Sequence, residues 1–184
     1  MSVSTLNASV RFSLSAAVSL LAANRPAAEG RIQDLLDQLG ISESDTFALG
    51  TGALQANKIW YDQRSLTTGA SELLNVGGGS APAAISLLNI TDSAGTVTMS
   101  RLVAAFFKNN STNPGDTLSV GGVASYGMTT LFPATTDLVI VRPGGKIMFD
   151  DPSPAGIVVA AQNVLKILNN GTNTINYTAV LIGS

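Results

Sequence analysis

Apolar and polar residues alternate with a period of two along the first stretch of this chain. Val10, Phe12, Leu14, Ala16, Val18 and Leu20 fall on one side, with Arg11, Ser13, Ser15 and Ser19 on the other. That period marks a half-buried strand, and it argues against reading Phe12 to Ala23 as the apolar core of a signal peptide. Asn24-Arg25-Pro26 breaks the pattern, and the period then changes. Ile32, Leu35, Leu36 and Leu39 are spaced i, i+3, i+4 and i+7, one face of a helix. Gly40 follows, where helices often end in the left-handed conformation. The expected helix, Ala27 to Leu39, is short and carries Glu29, Asp34 and Asp37. Its apolar stripe has to pack on something, either the chain's own sheet or a neighbouring subunit.

From Thr46 onward the chain reads as strands and turns. Strands are expected over Thr46 to Leu49, Lys58 to Ser65, Ser71 to Val76, Ala84 to Ile90, Thr96 to Lys108, Thr117 to Gly121, Asp137 to Val141, Lys146 to Phe149, Gly156 to Ala160, Val164 to Leu168 and Thr174 to Ile182. Gly50-Thr51-Gly52, Thr67-Thr68-Gly69, Pro143-Gly144-Gly145 and Asp151-Pro152-Ser153-Pro154 punctuate them as turns, and Gly77-Gly78-Gly79-Ser80 reads as a flexible link. One stretch echoes another. Phe107 to Asn113 leads into a strand at Thr117, and Leu168 to Asn173 leads into one at Thr174; both read as hairpins with Asn-rich tips. Many short strands at close spacing predict a sandwich or barrel. The absence of crossover helices argues against a parallel sheet. The expected fold is mostly β, an antiparallel β-sandwich or jelly roll with one short N-terminal helix. It divides into an arm, 1–45, and a β domain, 46–184.

Composition then narrows the chemistry. The 184 residues include no Cys and no His, which removes disulfides, thiolate sites, the commonest metal ligand and the usual general base. Charged residues make up 12% and apolar ones 45%, with a mean hydropathy of +0.30. A surface so poor in charge is expected to be covered in part by partner subunits. Net charge is −2 and the basic residues are scattered, so nucleic-acid binding has no electrostatic footprint, and no apolar run is long enough to span a bilayer. Ser-x-x-Lys, Gly-x-Ser-x-Gly and the phosphate-loop patterns are all missing. Asp150-Asp151, beside Pro152, reads as a turn rather than a catalytic pair. No cofactor, no metal and no catalytic residue is expected. Trp60 and Tyr61 are the most distinctive side chains. On a strand they point to opposite faces, one to the core and the other to solvent or a partner.

The turn Gly50-Thr51-Gly52-Ala53-Leu54-Gln55-Ala56-Asn57 leads into the aromatic strand Lys58-Ile59-Trp60-Tyr61-Asp62-Gln63-Arg64, followed by Ser71-Glu72-Leu73-Leu74-Asn75-Val76. Asp92 to Thr98, Arg101 to Asn109, Val141-Arg142-Pro143-Gly144-Gly145 and Tyr177 to Gly183 come later in the same order. In these motifs the chain resembles small virion-associated structural proteins of tailed phages and prophages. The likeness runs from about Gly50 to the C-terminus and does not include the arm. It implies a virion location and a capsid decoration (cement) role as a homo-oligomer, with a trimer favoured and the major capsid protein or another virion protein as partner. The alternative is a receptor- or glycan-binding module on a tail or head fibre. The candidate interface residues are Ile32, Leu35, Leu36, Leu39, Trp60, Tyr61 and Arg64.

Overall fold

The computed structural model describes residues 8–13, 42–78, 87–92, 95–123, 126–159 and 164–184. The expected helix from Ala27 to Leu39 lies outside them, as does the alternating stretch beyond Ser13. The described chain is mostly β and contains no helix. In chain order its strands are β1 (Ala8–Ser13), β2 (Ser42–Leu49), β3 (Gln55–Ala56), β4 (Lys58–Leu66), β5 (Ser71–Asn75), β6 (Leu88–Asn89), β7 (Thr91–Asp92), β8 (Gly95–Thr96), β9 (Arg101–Asn109), β10 (Leu118–Gly121), β11 (Leu138–Val141), β12 (Lys146–Asp150), β13 (Ile157–Val158), β14 (Val164–Asn169) and β15 (Ile175–Gly183).

Period-two patterning accounts for the long strands. β15 buries Ile175, Tyr177, Ala179 and Leu181 on one face, and β4 buries Trp60 and Leu66. The bounds of β4, β5, β10, β11, β12, β14 and β15 fall within one residue of those expected. The expected strand from Thr96 to Lys108 is instead interrupted. Its Val97 and Met99 are buried, but their N–H groups donate to the carbonyls of Ile90 and Val76, and Ser100 donates to that of Ser184. The segment is extended, yet its hydrogen bonds scatter over three partners instead of forming a ladder. Gly78 is also no free link. Its φ is +69°, and a Cβ there would lie 2.1 Å from Thr98 Cγ2, so close packing demands the glycine.

Two sheets hold most of the chain. One has the order β12-β9-β15-β4, with β13 also pairing β9; the other has the order β11-β10-β14-β5-β6. All pairings in them are antiparallel except β5–β6. Apolar residues from both sheets enter one core cluster: Trp60, Leu66, Ala105, Phe107, Tyr177 and Leu181 from the first, Leu74, Leu118, Val120, Leu165 and Ile167 from the second. A third sheet, β1-β2-β3, joins a smaller cluster in which Phe47 and Ala56 meet Val103, Ala104 and Ile182. Register shifts between Ile182 and Gly183, which pair with Ala104 and Leu102. Val103 is thus the extra residue of a bulge, which reverses the alternation and puts Val103 beside Ala104 in the smaller cluster.

The two echoed segments are not hairpins. β9 and β10 belong to different sheets, and so do β14 and β15. Each Asn-rich segment therefore carries the chain from one sheet to the other. What the echo encodes is a pair of matched corners. At the end of β9, Asn109 Oδ1 accepts the Ser111 N–H, and its Nδ2 donates to the carbonyls of Asp116 and Val141. At the end of β14, Asn169 Oδ1 accepts the Gly171 N–H, and its Nδ2 donates to the carbonyls of Leu66 and Asn173. Both side chains are fully buried. Their three hydrogen bonds apiece satisfy backbone groups that lose a ladder partner where the chain leaves its sheet.

Candidate functional site

The face of the β12-β9-β15-β4 sheet turned away from the main core carries one group of residues available to a partner. Residue parity and register place them. Tyr61 pairs with Val180, Val180 with Phe106, and Phe106 with Met148. One apolar side chain from each strand therefore lies in a single row across the sheet. The next row, Ile59, Ile182 and Ala104, is capped by Phe47 at its inner end. On the other side runs the polar row of Gln63, Thr178, Lys108 and Lys146. Ile59 is 45% exposed and Tyr61 59%, while Val180, Phe106 and Met148 are half-buried.

Trp60 and Tyr61 part as strand geometry requires. Trp60 enters the core at 5% exposure, and its Nε1 donates to the Thr91 carbonyl at 3.2 Å. Tyr61 faces outward. Arg64 lies on the inner side near the sheet edge, where it pairs with Asp62 at 2.8 Å and with Glu72 of β5 at 2.5 Å. Burial works against the Arg64 charge, but the two carboxylates more than offset it and raise its pKa. Tyr177 lies opposite Arg64 in the register, and burial, reinforced by the Glu72 charge, pushes its phenol up. This cluster ties β4 to β5, and so one sheet to the other. Ile32, Leu35, Leu36 and Leu39 lie outside the described residues.

Two polar centres have roles that sequence reasoning did not assign to them. Arg101 is buried, and its guanidinium donates five hydrogen bonds: Nε to Ser184 Oγ, Nη1 to the carbonyls of Ser153 and Pro154, Nη2 to those of Gly52 and Gln55. It thereby joins the turn after β2, the loop after β12 and the end of β15. Asp116 is buried between the two corners. It accepts from Ser111 Oγ at 2.7 Å, Asn113 Nδ2 at 3.2 Å, and Asn173 N and Nδ2 at 3.2 and 3.1 Å. The Ser111 hydroxyl, followed by the two asparagines, holds its carboxyl below the usual value. The available sequence signal was a charged residue heading the apolar run Arg101-Leu102-Val103-Ala104-Ala105-Phe106-Phe107, which on burial must be saturated with hydrogen bonds.

Asp150 ends β12, and Asp151 Oδ1 accepts the Ser153 N–H at 3.0 Å. The Ser153 side chain, followed by that bond, lowers the Asp151 pKa, the chemistry of a turn cap. No group of three or more His, Cys, Asp or Glu converges among the described residues, and no helix there is long and apolar enough to cross a membrane. No protein-family model matches the chain, and no curated protein matches it.

Proposed function

We propose that this chain is an oligomeric structural protein of a tailed-phage virion, a decoration (cement) protein that stabilises the head, built on a jelly-roll sandwich. Strand order supports the fold reading. The strand orders β4-β15-β9-β12 and β5-β14-β10-β11, with the chain passing between sheets at β4–β5, β6–β9, β9–β10, β11–β12, β13–β14 and β14–β15, match the order expected of eight strands wound as two Greek keys. The shared core cluster supports two facing layers.

The observation that carries the functional reading is the apolar row Tyr61, Val180, Phe106 and Met148 beside the Phe47 contact. Apolar side chains contiguous on a sheet face suit burial by another protein. The polar centres beneath them are spent on tying segments together, and the motifs from Gly50 onward resemble virion proteins. The test is co-sedimentation of the chain with heads assembled from the structural genes that flank its own. Saturable binding that Tyr61→Asp weakens about tenfold or more supports the proposal; no binding to heads that lack this protein sinks it.

The recognition module is favoured by one feature, the exposure of Tyr61 and Gln63 on the same face, where an aromatic ring beside an amide suits a sugar. Trp60 is too buried to report such a ligand. Calorimetry of wild type and Tyr61→Ala against a glycan panel is the appropriate measurement, and heat lost in the variant would favour this second reading.

A further inference from the structure

We propose that the outer face of the β12-β9-β15-β4 sheet docks a protein that sets carboxylates beside apolar side chains, and that Lys108 and Lys146 receive those carboxylates. The two lysines are direct register partners on neighbouring strands, and both are exposed. Like charges directly opposite one another on a sheet oppose folding. Among the described residues neither ammonium has a hydrogen bond or ion pair, whereas Lys58 and Lys166 each reach a backbone carbonyl. Their row continues with Thr178 and Gln63, which bring a hydroxyl and an amide but no negative charge.

No acidic residue occupies the lysine row or the rows on either side of it. Asp62 lies on the inner side of β4, where it pairs with Arg64. Asp150 shares the outer face but ends β12, past Met148. Four residues of strand put it roughly 13 Å from Lys146, beyond the screening length at physiological salt. The turn into β12, closed by the Gly145 N–H donating to the Arg142 carbonyl, adds a third exposed cation in Arg142. One end of this face is therefore positive in a chain whose net charge is −2. The free chain carries a local repulsion that carboxylates of a partner remove.

The neighbouring row identifies the kind of occupant. Phe106 and Met148, both half-buried, adjoin Lys108 and Lys146 on the same strands. The apolar row runs on to Tyr61 across three strand spacings, about 14 Å. Duplex nucleic acid presents phosphates but no apolar surface to cover that row. A sugar needs an exposed ring close to the charge, and Tyr61 stands on the strand at the opposite end of the sheet from Lys146. A protein supplies both parts at this spacing: apolar side chains over the row, and one or two carboxylates about 7 Å to one side of them. The inference rests on the reading of this face as a partner surface and names what that partner presents there.

The first test needs no partner. In the full chain Lys108→Glu or Lys146→Glu turns a like-charge pair into an opposite one, and each should raise the Tm by about 1–3 °C at low salt. The gain should vanish near about 1 M salt, and the double reversal should fall below both singles. Single reversals that leave the Tm unchanged or lower it overturn the inference. The second test titrates the chain with a peptide of alternating leucine and glutamate, with heparin and a DNA oligonucleotide as other polyanions, and follows backbone amide shifts. The peptide should shift amides around Lys108, Lys146 and Met148. Its affinity should fall about tenfold or more in the double reversal and survive Lys108→Arg with Lys146→Arg. Preference for heparin or DNA, or peptide binding that charge reversal spares, overturns the inference. Sedimentation with phage heads separates it from the head reading. Binding that Tyr61→Asp weakens but lysine reversal spares keeps the head reading and overturns this one. Peptide binding with no head binding does the reverse.

Discussion

Arg101 and Asp116 are the two residues on which the interior depends most for a single charge. The Arg101 guanidinium uses its planar fork to reach five oxygens in three segments, a geometry that an ammonium cannot copy. Arg101→Met removes a donor from four carbonyls, of which those of Pro154 and Gln55 have no other donor among the described residues, and is expected to cost about 3–5 kcal/mol, with Arg101→Lys recovering only a minor part, as read from denaturant unfolding. Asp116 makes a pH prediction. Its folded pKa lies below the ordinary aspartate value of 3.8, so the ionised form is favoured by folding. The stability it contributes is fully present above the unfolded pKa and is lost as pH falls through the depressed folded value. Asp116→Asn turns an amide toward donors that the carboxylate satisfied. The gap between wild type and variant should be constant from pH 7 to 5 and close below about pH 4, in melts taken across that range.

At the scale of elements, the Asn-rich corners are the parts most informative about the fold. Asn109 and Asn169 end strands in different sheets and make the same three kinds of hydrogen bond. They are also joined, because Asn173, whose carbonyl Asn169 holds, donates to Asp116, whose carbonyl Asn109 holds. Asn109→Ala and Asn169→Ala should each cost about 2–3 kcal/mol. The double variant should depart from their sum by about 0.5 kcal/mol or more, the mark of residues in one network. The segment from Val97 to Ser100 teaches the opposite lesson. Its composition fits a strand, yet its backbone partners come from three places, and only the assembled structure supplies them.

At the scale of the molecule, Phe47, with Ala56, is a fully buried tie between the β1-β2-β3 sheet and the larger assembly. Phe47→Ala opens a cavity in a small cluster and is expected to cost about 3–5 kcal/mol at that contact. The loss should be local. Amide exchange over Ser42–Leu49 should accelerate while β9, β14 and β15, seated in the main core, keep their protection. A variant in which all strands lose protection together would show that the third sheet is integral to the cooperative unit.

Much of this was legible in the amino-acid order, because a strand with one wet face must alternate and a turn must use residues that tolerate its angles. The bounds of seven strands, the opposite facing of Trp60 and Tyr61, and the turns at Thr67 to Gly69 and at Pro143 to Gly145 all follow from those local demands. The sequence also displayed the echo at Phe107 and Leu168, but a hairpin and a crossing between sheets draw on the same turn-forming residues. The difference between them is which strand lies alongside, a matter of partners remote in the chain. For the same reason only the tertiary structure decided that Arg101 joins three segments, that Arg64 bridges β4 and β5, and that Tyr61, Val180, Phe106 and Met148 share one row. Periodicity reports which side of a strand is wet; the neighbours on that side are set by hydrogen-bond register between distant segments, which no local pattern encodes.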